Sequence, residues 1–293
     1  MTTKIATHSS GFHPDDIFAV AAITILHPDY IIYRSRDEEV LKQCDFRIDI
    51  GREYNHQNKT YDHHFKDGPA YNDGLLMSSV GLIWKHYGLE ICNGNENTCQ
   101  YICNRLIRGI DANDNGITAT AMCKDFDNAI PLSLCDSMKM MNPIDTTKTD
   151  AIFEQQIAYA QSLLKAMIAN CEYEGKCNTI VQTAINKAIE NNKSYIVVPE
   201  NCEWMKPLFC CKNSDKILYA VYPKQKNWYI KTIPVELGSF ESRKDLPKEW
   251  HGLNEDEFSK KANIIDGVFC HHKGFVCGTK SYDSIITLAE SLA

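Results

Sequence analysis

The chain has 293 residues, 44% of them hydrophobic and 24% charged, with 15 Gly and 10 Pro. That composition excludes an intrinsically disordered chain, and the length favours two buried cores over one. A formal net charge of −7 excludes a protein that coats nucleic acid through a broad basic surface, but not one with a local basic groove or with carboxylates offset by divalent cations.

No run approaches the ~20 apolar residues that a membrane helix requires. An apparent strand begins just after Met1, without room for a signal or transit segment, so a cytoplasmic or nuclear location is expected. Thirteen cysteines without a zinc-type CxxC pair read as reduced thiols, with Cys99, Cys103, Cys210 and Cys211 as small core residues.

Lys4–Thr7 is a short β-prone stretch that delivers Thr7-His8-Ser9-Ser10-Gly11-Phe12-His13-Pro14-Asp15-Asp16, and the apolar Ile17–Leu26 follows as a helix. Strand, polar loop and helix form the unit that opens many parallel α/β sheets and presents function at the strand's C-terminal end. Two readings of this loop stand side by side. An aspartate caps the helix while the imidazoles are solvated, or the loop ligates a metal. Tyr30–Arg34 is predicted as a second strand and Asp37–Gln43 as a short helix. Asp45–Gly51 alternates as a strand and closes on Asp49-Ile50-Gly51. An aspartate at a strand tip beside Gly is a recurrent ligand position, and equally a turn former.

Tyr61-Asp62-His63-His64 then places three ligand-capable side chains in a row. At a strand's C-terminal edge Asp62 and His64 share one face and His63 the other, so one imidazole serves a metal and its neighbour another group or the substrate. Ser78–Tyr87 and Asn97–Ile110 read as helices, the second running into Gly109-Ile110-Asp111-Ala112-Asn113-Asp114-Asn115-Gly116. The spacing is not that of an EF-hand. Asp111 is expected to point into a site built by the earlier motifs, and Asp114 either to support it or to cap a turn.

Thr149 to about Asn191 is helical, with a break expected near Glu174-Gly175-Lys176. The chain then turns β-like at Ser194–Val198, Ile217–Tyr222 and Trp228–Pro234, with Pro223–Asn227 as a hairpin turn. Two further strands pivot on His271–Gly274 before a final helix, Tyr282–Leu292. The expected fold class is α/β: an N-terminal parallel-sheet domain over 1–191, including a helical connection at about 149–191, and a smaller C-terminal α+β domain over 192–293.

His8, His13, Asp15, Asp49, Asp62, His63, His64 and Asp111 make an imidazole and carboxylate set without Cys, suited to Mn2+, Mg2+, Fe2+ or Zn2+. The set is too large for one ion and points to two, about 3.5–4 Å apart, serving in-line displacement at a phosphoryl group with Asp49 between them. Ser and Cys nucleophile motifs, a Walker A loop and GxGxxG are absent, which leaves hydrolysis by metal-activated water.

The order His8, His13-x-Asp15, Asp49, Asp62-His63-His64, Asp111 resembles the DHH phosphoesterase superfamily. More closely it is similar to the melanocyte proliferating gene family within it. The first motif (Thr7 to Asp16), Asp49-Ile50-Gly51, Tyr61 to His64 and Ile110 to Gly116 carry the likeness in the first half. Ser242-Arg243, Leu246-Pro247, Trp250-His251-Gly252-Leu253 and Val268 to Phe275 carry it in the second. Two departures stand out: the family's Gly in the first motif falls at Ser10, and its Glu is Asp16. Relative to the wider superfamily, His13 replaces an Asp.

The resemblance implies a DHH-type first domain and a 3′–5′ exoribonuclease acting on single-stranded RNA or short oligonucleotides with two divalent ions, Mn2+ or Mg2+. It implies His8, His13 and Asp49 for one ion and Asp15, Asp49, His63 and Asp111 for the other. His64 lies near the scissile phosphate, and Asp62 orients an imidazole. Arg243, His271 and Lys273 are expected to hold the phosphate backbone across an interdomain cleft. A pyrophosphate or very short oligonucleotide hydrolase is the alternative. A regulatory protein with a vestigial site ranks below both, because no ligand is lost.

Overall fold

The computed structural model describes residues 2–117 and 131–292. The chain divides into two compact units, Met1–Cys171 and Glu172–Ala293. In the first, β1 (Thr3–Thr7), α1 (Pro14–Leu26), β2 (Tyr30–Arg34), α2 (Glu38–Leu41), β3 (Phe46–Ile48), β4 (Tyr54–Asn55) and β5 (Thr60–Tyr61) contribute a sheet of order β2-β1-β3-β5-β4. Strands β2, β1, β3 and β5 are parallel, whereas β4 runs antiparallel to β5. The sheet is therefore mixed rather than wholly parallel.

Side chains alternate across a strand, so each sheet face takes every second residue. Ile5, Phe46, Ile48 and Tyr61 join the core with α1 and α3 (Ser79–Ile91), while Ala6 packs with Leu41 and Ile50 beneath α2. Helix α1 is apolar all round and buried from Ile17 to Ile23, as its position against both the sheet and α3 demands. Each such Ile or Phe contributes roughly 1.5–3 kcal/mol by leaving water.

Helix α4 (Glu96–Ile102) passes through a π-helical turn, Cys103–Ile107, directly into α5 (Arg108–Asp114). The helical path thus runs beyond the expected end at Ile110, and Asp111 and Asp114 sit on a helix rather than in a loop. Next come α6 (Leu134–Met140) and α7 (Thr149–Glu190), which is unbroken across the expected interruption at Glu174-Gly175-Lys176. Residues 173–176 are exposed, but a single Gly costs only about 1 kcal/mol against Ala, too little to split a helix held on either side by buried Ile168 and Cys177. The boundary between the two compact units falls inside α7.

The second unit adds β6 (Tyr195–Val197), α8 (Met205–Cys210), β7 (Tyr219–Lys224), β8 (Asn227–Thr232), α9 (Glu255–Ala262), β9 (Gly267–Cys270), β10 (Val276–Thr279) and α10 (Tyr282–Leu292). Their sheet has the order β6-β7-β8-β10-β9, with only β6 and β7 parallel. Tyr219, Val221, Ile230 and Cys277 face Phe258, Ile285 and Leu288 on one side. Ile196 and Ala220 meet Leu208, Val181 and Ile185 on the other. Pairing of Lys224 with Asn227 leaves Gln225-Lys226 as the turn, so the strands extend into the segment expected to be turn throughout.

No helix of the described residues is long and apolar enough to cross a membrane. No disulfide joins the described cysteines, and Cys210 is exposed rather than core. Cys123 lies outside the described residues.

Candidate metal centre

Strands β1, β3 and β5 lie side by side in register, with Ala6 opposite Arg47 and Ile48 opposite Tyr61. The residues that follow them, His8, Asp49 and Asp62-His63-His64, therefore emerge from adjacent C-terminal strand ends. The path leaves β1 towards β2 and returns on its other side as β3, the switch point at which open α/β sheets hold ligands.

Asp49 is the hub. Its φ of 56° lies in the left-handed region, which costs a non-Gly residue about 1–2 kcal/mol and is tolerated best by Asn and Asp. The turn brings its buried carboxylate among three imidazoles: Oδ2 lies 3.2 Å from His8 Nε2, and Oδ1 lies 3.3 Å from His63 Nε2 and 3.4 Å from His64 Nδ1. Ser79 Oγ, at the start of α3, donates to the same Oδ1 at 3.0 Å. His13 joins His8 and Asp49, their ligand atoms lying within 4.8 Å of one another.

The two aspartates of α1 divide the roles left open above. Asp16 Oδ1 accepts the His13 backbone N–H at 2.9 Å and so closes the helix N-terminus, while its Oδ2 lies 3.2 Å from His8 Nε2. Asp15 is buried with neither carboxylate oxygen hydrogen-bonded, 3.7 Å from His63 Nε2 and grouped with His13 and Asp114. Nearby Ser10, where the resembled family has Gly, holds a φ of 81° that Gly adopts freely.

His63 and His64 do not face opposite ways. Strand β5 ends at Tyr61, so the period-two alternation lapses before them, and their rings lie 4.2 Å apart with both reaching Asp49. His64 is the more open, its side chain 60% exposed. Asp62 fixes it: Oδ1 accepts from His64 N–H at 3.0 Å and is 2.8 Å from His64 Nδ1, and Oδ2 accepts from Arg52 N–H at 2.6 Å.

Asp111 is not brought into this cluster. Its fully buried carboxylate accepts from Ser78 N–H (3.0 Å), Ser78 Oγ (2.7 Å) and Gly81 N–H (3.2 Å) on Oδ1, and from Tyr71 OH (2.7 Å) on Oδ2. Three donors saturate Oδ1, and Tyr71 holds Oδ2. Asp114, one helical turn further on, does reach the cluster, 3.2 Å from His63 Nε2.

The charges are unbalanced. Burial, with Asp49, Asp114 and Asp16 nearby, holds the Asp15 carboxyl well above its usual range. Burial opposes ionisation of Asp49 as well, but His63 and His8 overcome it and hold Asp49 below the usual carboxylate range. At His8 burial works against protonation, and Asp16 and Asp49 nonetheless push it up to about 10. His63 is raised for the same reason, by Asp49 and Asp114 against burial. A buried carboxylate without donors is costly, and the unpartnered oxygens of Asp15 fit a divalent cation held by mixed N/O ligands.

A cleft of about 620 Å³ opens over His8, His13, Asp49 and His64, and Arg36 and Arg52 also line it. Neither arginine carries a sequence signal, since isolated basic loop residues have no periodicity. The second-unit residues behave differently. Arg243, expected to hold phosphate, instead donates from Nη1 to the carbonyls of Ser214 and Ile217 (the latter at 2.9 Å) and lies over the Phe209 ring. Half-buried His271 and exposed Lys273 line a separate cleft of about 550 Å³ together with Lys231, Phe240 and His272.

A family model described as "Uncharacterised protein family (UPF0160)", MYG1 exonuclease, matches residues 4–292. The MYG1 protein C27H6.8 of Caenorhabditis elegans is 31% identical over 99% of this chain and 95% of its own length. A protein named MYG1 exonuclease in Mus musculus is 26% identical, covering 98% of this chain and 84% of its own. A solved structure of exonuclease RecJ bound to manganese aligns at 9% identity over 98% of this chain and 88% of that one, with a TM-score of 0.27, too slight to carry an argument.

Proposed function

This chain belongs to the MYG1 family, and from that premise we propose that it is a divalent-metal-dependent phosphodiesterase of the DHH type, removing nucleotides from the 3′ end of single-stranded RNA. The observation that carries the proposal is Asp15, buried in the first turn of α1 with both oxygens unpartnered, beside His63, His13 and Asp114. The relatives named exonuclease support the same reading.

His8, His13 and Asp49 would hold one ion, and Asp15, Asp49, His63 and Asp114 a second, with Asp49 common to both. When bound, Mn2+ or Mg2+ supplies Lewis-acid activation of the phosphoryl group and of the attacking water. The chain's own groups prepare the rest. Asp62 locks the His64 ring at the mouth of the cleft, where it donates to a phosphoryl oxygen or returns a proton to the leaving oxygen. Ser79 and the αL turn hold Asp49 between the two histidine pairs, so that no reorganisation is needed when substrate arrives. The cleft in the second unit, with Lys231, His271, His272 and Lys273, offers the cationic and aromatic surface that a nucleotide chain requires.

The test is hydrolysis of a 5′-labelled single-stranded RNA and its DNA counterpart with Mn2+, Mg2+ or EDTA. A ladder shortening from the 3′ end of the RNA, abolished by EDTA, is the expected result. The net charge of −7 favours a second reading, a hydrolase of pyrophosphate or very short oligonucleotides. Metal-dependent release of phosphate from pyrophosphate without any ladder would establish it in place of the first.

A further inference from the structure

We propose that Arg36 and Arg52 form a phosphate subsite beside the metal centre, reading a second phosphate that flanks the scissile one. The inference rests on the phosphodiesterase reading and adds to it a substrate class: nucleotides with at least two phosphates, in preference to diesters with one.

Both residues line the cleft that His8, Asp49 and His64 share, and both are exposed. Their placement follows from the fold. Ser35 N–H donates to Thr7 O at 2.9 Å, so Arg36 leaves the sheet edge at the level where His8 leaves β1. Arg52 is set by the active loop itself, since its N–H donates to Asp62 Oδ2, the carboxylate that also orients His64. Its φ of 54° puts a non-Gly residue in the left-handed region immediately after Gly51, at a φ of 107°. A tight turn built from Gly51 and Arg52 thus carries a guanidinium to the rim of the site.

The two guanidinium groups are also unspent. Arg34 pairs with Asp150, Arg108 with Asp73, Arg47 donates to Leu41 O and Arg243 to two carbonyls, whereas Arg36 and Arg52 make no side-chain hydrogen bond or ion pair among the described residues. Glu38 lines the same cleft without pairing with either, and Asp37 is spent capping α2 through Glu39 N–H at 2.9 Å. Two free planar forks beside a cluster of carboxylates suit phosphate oxygens, which they engage through paired charge-assisted hydrogen bonds. The cations that the centre would hold serve the scissile phosphate; the arginines would serve its neighbour.

The experiment compares a dinucleoside monophosphate with the same dinucleotide carrying an additional phosphate at its 5′ or 3′ end, in Mn2+, for the wild type and Arg36→Ala/Arg52→Ala. The wild type should favour one phosphorylated form by about tenfold or more in kcat/KM, and the double variant should lose that preference through KM. Bound Mn2+ per chain and the melting temperature check that the variant is folded and loaded. Single Arg36→Ala and Arg36→Glu proteins, ordered by charge in their loss, provide the second series should the double variant fail to fold. A preference that survives in every variant, or a wild type that hydrolyses all forms equally, overturns the subsite alone. A wild type that hydrolyses none of the substrates overturns the phosphodiesterase reading and the subsite with it.

Discussion

The Asp111 carboxylate fills the space that a side chain at Gly81 would need: a Cβ there would lie 2.8 Å from Oδ1 and 2.9 Å from Cγ. The missing side chain lets Gly81 N–H and Ser78 close on one acceptor, which pins the start of α3 where Ser79 meets Asp49. Gly81→Ala must push the two apart. Urea unfolding should show a loss of about 1–3 kcal/mol. Gly109→Ala, on exposed helix with nothing within 4 Å, should instead gain up to about 1 kcal/mol.

If Asp111 positions α3 rather than ligating, Asp111→Asn should bind as much Mn2+ per chain as the wild type while losing about 1–3 kcal/mol of stability. Asp114→Asn should show the converse, near-native stability with less metal. Elemental analysis of the two purified proteins separates them, and metal loss in Asp111→Asn alone would return that residue to the ligand set.

Arg243 ties the chain before β7 through the Ser214 and Ile217 carbonyls and stacks on Phe209. Arg243→Ala should therefore lower stability by about 1–3 kcal/mol. Arg243→Lys should rescue little, lacking the planar fork. Equal melting temperatures for Arg243→Ala and wild type, with KM alone raised, would show instead a hand on substrate.

His86 stacks on His56 at 3.7 Å, its Nε2 sits 2.5 Å from Tyr54 OH, and Tyr61 and Lys85 lie nearby. Burial, His56 and Lys85 lower its pKa below the ordinary 6.5. The unfolded chain then binds the proton more readily than the folded one, so this group contributes stability that is present above about 6.5 and is lost as pH falls from there through its lower folded value. Melting temperatures from pH 7.5 to 5 should fall more steeply for wild type than for His86→Gln. Parallel curves would assign the acid sensitivity elsewhere.

His8 and Asp49 were legible together because each closes a stretch that reads as a strand, and the C-terminal ends of parallel strands converge by construction, whereas β5, only two residues long before Asp62-His63-His64, left no strand signal. That Asp114 rather than Asp111 reaches His63 was not legible. It depends on the π turn at Cys103–Ile107, which resets the helical register, and on Tyr71 and Ser78, 40 and 33 residues away. Asp15 and Asp16 are chemically identical, and only folded context separates them: Asp16 meets the His13 N–H and His8, while Asp15 takes no hydrogen bond and faces His63. Gly175 looked like a stop because local propensity says nothing of the helical turns on either side of it, held by buried Ile168 and Cys177.

In the proposed centre Asp49 joins two cation positions at the ends of β1, β3 and β5. Calorimetric titration of metal-free protein with Mn2+ tests it most directly, wild type against Asp49→Asn. The wild type should bind two ions per chain, and Asp49→Asn should retain neither at the same affinity. Two ions bound with unchanged affinity in Asp49→Asn would contradict it.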